Sequence, residues 1–212
     1  MTIHALPSYE LPQTPVANRV QWRPQANRAA LLIHDMQTYF LQKYDMSQAP
    51  IPMLIERIAA LRDVCHKQGI PVFYTAQPTE QPEKDRALLN DFWGPGLTAS
   101  EFHEQQAVVP ELTPAENDIM LTKWRYSAFQ RSDLREQLRN LGRDQLIITG
   151  VYAHIGCMTT ALEAFMQDVQ PFLAIDGVAD FSLEEHHMAI RHVSQRCGVS
   201  LTCAEIQASL QG

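Results

Sequence analysis

Six short apolar runs punctuate the chain: Ala29–His34, Pro71–Thr75, Ile119–Thr122, Gln145–Thr149, Pro171–Ile175 and Val199–Thr202. They are mostly continuous rather than alternating, the pattern of strands covered on both faces in a parallel sheet. Between them the apolar positions fall three and four apart. Met53, Leu54, Ile58, Leu61, Val64 and Cys65 predict a helix over Met53–Gln68, ended by Gly69 and Pro71. Further helices are predicted over Ser132–Leu141, with Ser132 as N-cap, over roughly His154–Asp168, and over Ser182–Arg196, where Ser182 and Glu185 form a capping-box pattern. This alternation predicts an α/β fold, a three-layer α/β/α sandwich on a six-stranded, mainly parallel sheet.

Two regions break the rhythm. Residues 78–114 carry Pro82, "WGPG" at 93–96 and Pro110, and read as a helix followed by a long excursion over the sheet, a usual place for a substrate pocket. Residues 1–28 contain prolines at 7, 12, 15 and 24 and no continuous apolar stretch. They read as an extended arm lying on the domain formed by 29–212, with Leu6, Tyr9, Leu11 and Trp22 as anchors, and resemble neither a signal peptide nor a membrane span.

Composition narrows the partners. The chain has 212 residues and a formal charge of -7, with no long basic run, which argues against nucleic acid. An anionic substrate therefore needs a local cationic pocket. The four cysteines, at 65, 157, 197 and 203, form no CxxC pair or metal-finger spacing, and imply a reduced, cytoplasmic protein.

Open parallel sheets bind ligands beyond the carboxyl ends of their strands. The residues there are Asp35 in "LLIHDMQTYF", Gln77 in "YTAQP", Lys123 in "LTKWRYSAF", and the stretch "GVYAHIGC" at 150–157. Taken alone, Asp35 could cap a turn, Lys123 could be a solvated surface charge, and Trp93, Trp124, Tyr126 and Phe129 could be core. Their placement at matching strand ends points instead to one crevice. Cys157, near the start of a predicted helix, raises a separate question, because amides and dipole at a helix N-terminus stabilise a thiolate. No GxGxxG, GxxxxGK[ST] or HExxH pattern is present, and adjacent His186 and His187 cannot share a helical face. Neither a cofactor nor a metal is expected.

"LLIHDMQTYF", "YTAQP", "RALLNDFWGPG", "TKWRYSAF", "LIITGVYAHIGCMTT" and "ALEAFMQDVQPFLAIDGVADFS" together resemble the isochorismatase family over essentially the whole chain, arm included. The resemblance implies a Rossmann-like fold and hydrolysis of the enol ether of isochorismate to pyruvate and 2,3-dihydro-2,3-dihydroxybenzoate. It is strongest to the domain that serves siderophore pathways. It also implies a homodimer working beside dihydroxybenzoate-pathway enzymes and an aryl carrier protein, and a non-proline cis peptide within Gly150–Tyr152. On this reading Asp35 is the acid that protonates the enol ether and Lys123 pairs with a substrate carboxylate. Arg86, or alternatively Arg125, takes the second carboxylate. Gln77, Tyr152 and the Gly156 amide donate hydrogen bonds, while Phe40, Trp93 and Tyr126 wall the pocket. Phenazine-pathway relatives act on the 2-amino analogue, which is the alternative substrate.

The wider superfamily contains cysteine hydrolases such as nicotinamidases, whose thiol stands six residues after the strand-four glycine. Six residues after Gly150 is Gly156, and Cys157 is one further, about 100° around a helix. The resemblance therefore implies that Cys157 is a buried hydrophobe. Metal-containing nicotinamidases carry Asp-x-His after strand two, where this chain has Ala76, Gln77 and Pro78. An amidase and a non-catalytic docking module are the remaining rival readings.

Overall fold

A computed structural model describes residues 4–212; residues 1–3, part of the expected arm, lie outside the described residues. Each apolar run forms a strand: β1 Ala29–His34, β2 Val72–Ala76, β3 Ile119–Thr122, β4 Gln145–Val151, β5 Gln170–Ala179 and β6 Val199–Leu201. They pair in the order β3-β2-β1-β4-β5-β6, and every pairing is parallel. The order reverses between β1 and β4, so the connections leaving these two strands diverge and open a crevice at their carboxyl ends.

Successive side chains of β1 enter opposite layers, as strand geometry requires. Leu31 and Ile33 join a core with helix α2 (Ile51–Lys67) and helix α8 (Cys203–Gln211), whereas Ala30 and Leu32 join a second core with α5 (Leu134–Asn140), α6 (Met158–Met166) and α7 (Leu183–His192). Helix α2 buries Ile51, Leu54, Ile58, Leu61 and Cys65 on a single stripe. Each of its aliphatic side chains contributes about 1.5–3 kcal/mol of transfer free energy. The described part of the arm runs across the first layer, with Leu11 buried and Leu6, Tyr9 and Trp22 packed against it. Its Asn18 side chain brackets Ser200 of β6, donating to the carbonyl at 2.9 Å and accepting from the amide at 2.7 Å.

The structure amends several expected boundaries. Helix α5 begins at Leu134, with Asp133 at the cap position, later than expected; the Ser132 hydroxyl still accepts from Leu134 N at 3.3 Å, as an N-cap does, while donating to Ala128 O at 2.5 Å. The segment 78–114 holds only the one-turn helices α3 (Glu83–Arg86) and α4 (Leu89–Trp93) and three 3-10 turns, since its prolines and glycines interrupt every longer run. The expected helix over 154–168 opens with a π turn, Ala153–Cys157, before α6, and Ser182–Arg196 closes with another, Val193–Cys197, after α7. Ser182 caps α7 as expected, accepting from Glu185 N. Helix α8, with a full capping box from Thr202 and Glu205, was not anticipated. Helix α1 (Thr38–Leu41) follows β1 directly and completes the wall beside the crevice.

Candidate active site

The crevice at the carboxyl ends of β1 and β4 is lined by all nine residues singled out from the sequence: Asp35, Lys123, Gln77, Arg86, Tyr152, Gly156, Phe40, Trp93 and Tyr126, with Arg125 beside them. Asp35 sits at the first position after β1 with a φ of 49°, a left-handed conformation that costs a non-glycine residue about 1–3 kcal/mol. Thr75 of β2 holds it there: its Oγ1 accepts from the Asp35 amide at 3.1 Å and donates to Oδ1 at 2.6 Å. Lys123 Nζ donates to Oδ2 at 2.9 Å. Asp35 and Lys123 are each only 4% exposed, so their charges face each other with little water between them.

Two guanidiniums remain. Arg86 is buried, its Nε donating to Gly94 O at 2.8 Å and its Nη1 to the Gln81 side chain at 3.3 Å. Among the described residues it has no carboxylate partner, and burial pulls its pKa down. Arg125 lines the same pocket, its Nη1 donating to the carbonyls of Asp85 and Trp124 at 2.7 Å each. With the Asp35 and Lys123 charges cancelling, the pocket presents the two arginine charges to a ligand.

The structure corrects two expected roles. Tyr152 lines the pocket, but its hydroxyl donates to Phe40 O at 2.9 Å, so what it offers a ligand is its ring, packed edge-on to Phe40 and Phe181. The Gly156 amide already donates to Tyr152 O at 3.1 Å inside the π turn, so the role left to this residue is steric. Gln77 keeps its side chain free of hydrogen bonds among the described residues, and Trp93 Nε1 donates to the Tyr126 hydroxyl at 2.8 Å. The Val151–Tyr152 peptide is cis.

Three residues were missed. Thr75 was read only as the end of a strand. Gln37, fully buried, clamps the backbone of Gln77 by accepting from its amide at 2.7 Å and donating to its carbonyl at 3.0 Å. His34 was read as the last strand residue, yet its imidazole lies under the site, with Nδ1 2.8 Å from Val151 O and Nε2 3.4 Å from Tyr126 O. Burial lowers its pKa to about 4, against the pull of Asp35, so the ring is neutral at neutral pH. The signal that could have found them is the position next to a strand-end acid, or across the strand pair from it.

Cys157 turns away from this pocket. Its Sγ is wholly buried in the second core, 3.9 Å from Thr149 O, and burial raises its pKa well above the ordinary thiol value, the opposite of an activated nucleophile. Among the described residues no three His, Cys, Asp or Glu side chains gather to hold a metal ion. The crevice thus gathers a carboxylate, an ammonium and two guanidiniums, groups able to move a proton and to hold an anion.

Known proteins agree with this architecture. The isochorismatase domain family matches residues 29–205. The chain is 56% identical to enterobactin synthase component B of Escherichia coli (strain K12) over 92% of its own length and 67% of the relative. It is 49% identical to an isochorismatase of Bacillus subtilis (strain 168), covering 100% of this chain and 68% of that one. It is 44% identical to phenazine biosynthesis protein PhzD1 of Pseudomonas aeruginosa, covering 96% and 98%. In structure it resembles a cysteine hydrolase from Pseudomonas syringae pv. phaseolicola 1448A, with a TM-score of 0.82 at 20% identity over 91% of this chain and 96% of that one, a likeness of fold. On the family match over residues 29–205 and on these identities, the chain belongs to the isochorismatase family.

Proposed function

We propose that the protein is an isochorismatase that hydrolyses isochorismate to pyruvate and 2,3-dihydro-2,3-dihydroxybenzoate for catechol siderophore synthesis. The observation that carries this reading is the buried Asp35–Lys123 pair on the floor of a pocket that adds two arginines and no thiol. Isochorismate bears two carboxylates, and the pocket holds a cation for each: Lys123, once Asp35 carries a proton, and Arg86. Its enol ether breaks without a covalent intermediate. Asp35 protonates the terminal methylene carbon, which leaves an oxocarbenium ion. Water adds to that ion, and the hemiketal collapses to pyruvate and the ring diol, returning the proton. Lys123 turns to a substrate carboxylate when the ligand binds, and so frees Asp35 to carry the proton. Arg86 holds the second carboxylate, with Phe40, Trp93 and Tyr126 excluding water around the ring and Gln77 donating to it.

A second substrate has a specific observation behind it, the 44% identity to a phenazine biosynthesis protein over nearly the full length of both chains. The test supplies isochorismate and its 2-amino analogue separately and follows pyruvate through lactate dehydrogenase. Faster turnover of isochorismate supports the siderophore reading, and the reverse order assigns the phenazine branch. In water enriched with oxygen-18 the ring diol should keep its ordinary oxygen, because water attacks the pyruvyl carbon; labelled diol would contradict the mechanism. Work beside dihydroxybenzoate-pathway enzymes and an aryl carrier protein, a homodimeric state and a cytoplasmic setting belong to the same proposal. The first is supported by the likeness to enterobactin synthase component B and the last by four unpaired cysteines. Among the described residues no helix is long and apolar enough to cross a membrane.

A further inference from the structure

Gly156 stands where the cysteine hydrolases of the superfamily would carry their thiol, and the structure shows what fills the space instead. A β-carbon built on Gly156 overlaps the His34 ring: it would collide with Cε1 and lie 2.6 Å from Nε2 and 3.1 Å from Nδ1. Real side chains do not approach so closely, and the ring has little freedom to retreat. Its Nδ1 is tied to the Val151 carbonyl, its Nε2 points at the Tyr126 carbonyl, and it is only 1% exposed. The backbone of Gly156 is fixed as well, because its amide and that of Cys157 both donate to Tyr152 O.

We infer that His34 and Gly156 form a coupled specificity pair, in which the imidazole occupies the volume of a side chain at 156, bars a thiol from the pocket, and commits the site to direct addition of water. The inference rests on the proposed hydrolysis for its last clause and on geometry alone for the rest. His34 ends β1 immediately before Asp35 and touches two further segments that build the site: the end of β4 and the π turn, bearing Val151 and Gly156, and the loop bearing Lys123 and Tyr126. Shrinking it therefore loosens the site, and enlarging Gly156 displaces it. Each change alone is harmful, and the second relieves the first. The low basicity of the buried ring keeps it uncharged while it serves as this plug.

A double-mutant cycle tests the pair. Gly156→Ala should lower kcat about a hundredfold, the effect of a displacement of about 1 Å in a positioned site. His34→Ala should lower it about tenfold on the same grounds. Adding Gly156→Ala to His34→Ala should then raise kcat and melting temperature instead of lowering them. Equal losses from Gly156→Ala in both backgrounds would overturn the pair while leaving pyruvate release by the wild type, and so the functional reading, intact. A sign reversal confined to melting temperature would reduce the pair to packing and overturn its part in the reaction. Should the wild type release no pyruvate from either substrate, the functional reading fails, and the steric coupling is decided by the melting temperatures alone. The commitment against a thiol is read separately in His34→Ala with Gly156→Cys. Iodoacetamide should alkylate the introduced thiol in the folded protein and leave Cys157 unlabelled, as located by peptide mass. An unlabelled introduced thiol in a protein that melts near the wild type would contradict it.

Discussion

The two ends of the central strands differ in how their polar groups are satisfied. At the amino ends Arg28 makes a two-pronged pair with Asp144, both contacts at 2.8 Å, and reaches Gln170, while Gln145 bonds to Gln170, Arg23 and Gln25. Arg28, Asp144 and Gln170 are partly in water, Gln145 is buried, and the four saturate one another. At the carboxyl ends Asp35 sits in a left-handed conformation, Lys123 and Asp35 are buried together, and buried Arg86 lacks an acid. A chain evolved for stability alone would have no reason to leave its second end so poorly satisfied. The contrast separates polar groups that hold the fold from polar groups that await a ligand.

That contrast breaks first at Lys123. Lys123→Met leaves the Asp35 carboxylate buried and unpaired, so stability should fall by about 3–5 kcal/mol in urea unfolding, with turnover abolished. Retention of full stability would show that Asp35 is not held as an ion in the empty site. Arg86→Ala should come next. Loss of a charged hydrogen bond of about 1.5–3 kcal/mol raises KM roughly tenfold to a hundredfold, with kcat less affected. An unchanged KM would move the second carboxylate to Arg125. Thr75→Val removes the hydroxyl that positions Asp35 and should lower kcat about tenfold, at a cost of about 1 kcal/mol from the lost hydrogen bond. At the opposite end, Arg28→Ala should cost only about 0.2–1 kcal/mol and leave kcat alone, because the pair is partly exposed. A large effect on turnover there would erase the distinction between the two ends.

Acid adds a further contrast. Burial lowers His34 and His186 to about 4, so both fold in the neutral form. Their contribution is fully present above the unfolded value of about 6.5 and is lost as pH falls through the interval down to about 4. His154 behaves oppositely. Burial lowers its pKa, but the hydrogen bond and charge of Asp180 outweigh that and raise it, so its contribution is present in acid and lost as pH rises through the folded value. Stability should therefore fall between pH 6.5 and 4, by up to about 1.4 kcal/mol per pH unit for each buried neutral histidine. His34→Asn should flatten that slope in pH-dependent urea unfolding.

Much of this was legible in the sequence because parallel strands buried on both faces write themselves as unbroken apolar runs, and a run's end marks the ligand side. Asp35, Gln77 and Lys123 follow from that rule alone. Arg86 and Phe40 entered only with the resemblance, since for Arg86 nothing in an irregular, proline-broken segment says which way a side chain faces. What stayed hidden depends on contacts across the sheet. The Tyr152 hydroxyl and the Gly156 amide looked available because local spacing reveals neither partner: Phe40 O lies in helix α1, far along the chain, and Tyr152 O is brought round by a π turn. His34 looked like the last residue of a strand because its purpose depends on a glycine 122 residues away.

The most direct test of the account compares Asp35→Asn and Cys157→Ala with the wild type for pyruvate release from isochorismate in a single turnover. The account predicts that Asp35→Asn loses about 10²–10⁴-fold in rate, the usual worth of a general acid, while Cys157→Ala stays within a few fold. Turnover by Asp35→Asn within tenfold of the wild type, or its loss in Cys157→Ala with the fold intact, would contradict acid-catalysed hydrolysis without a nucleophile.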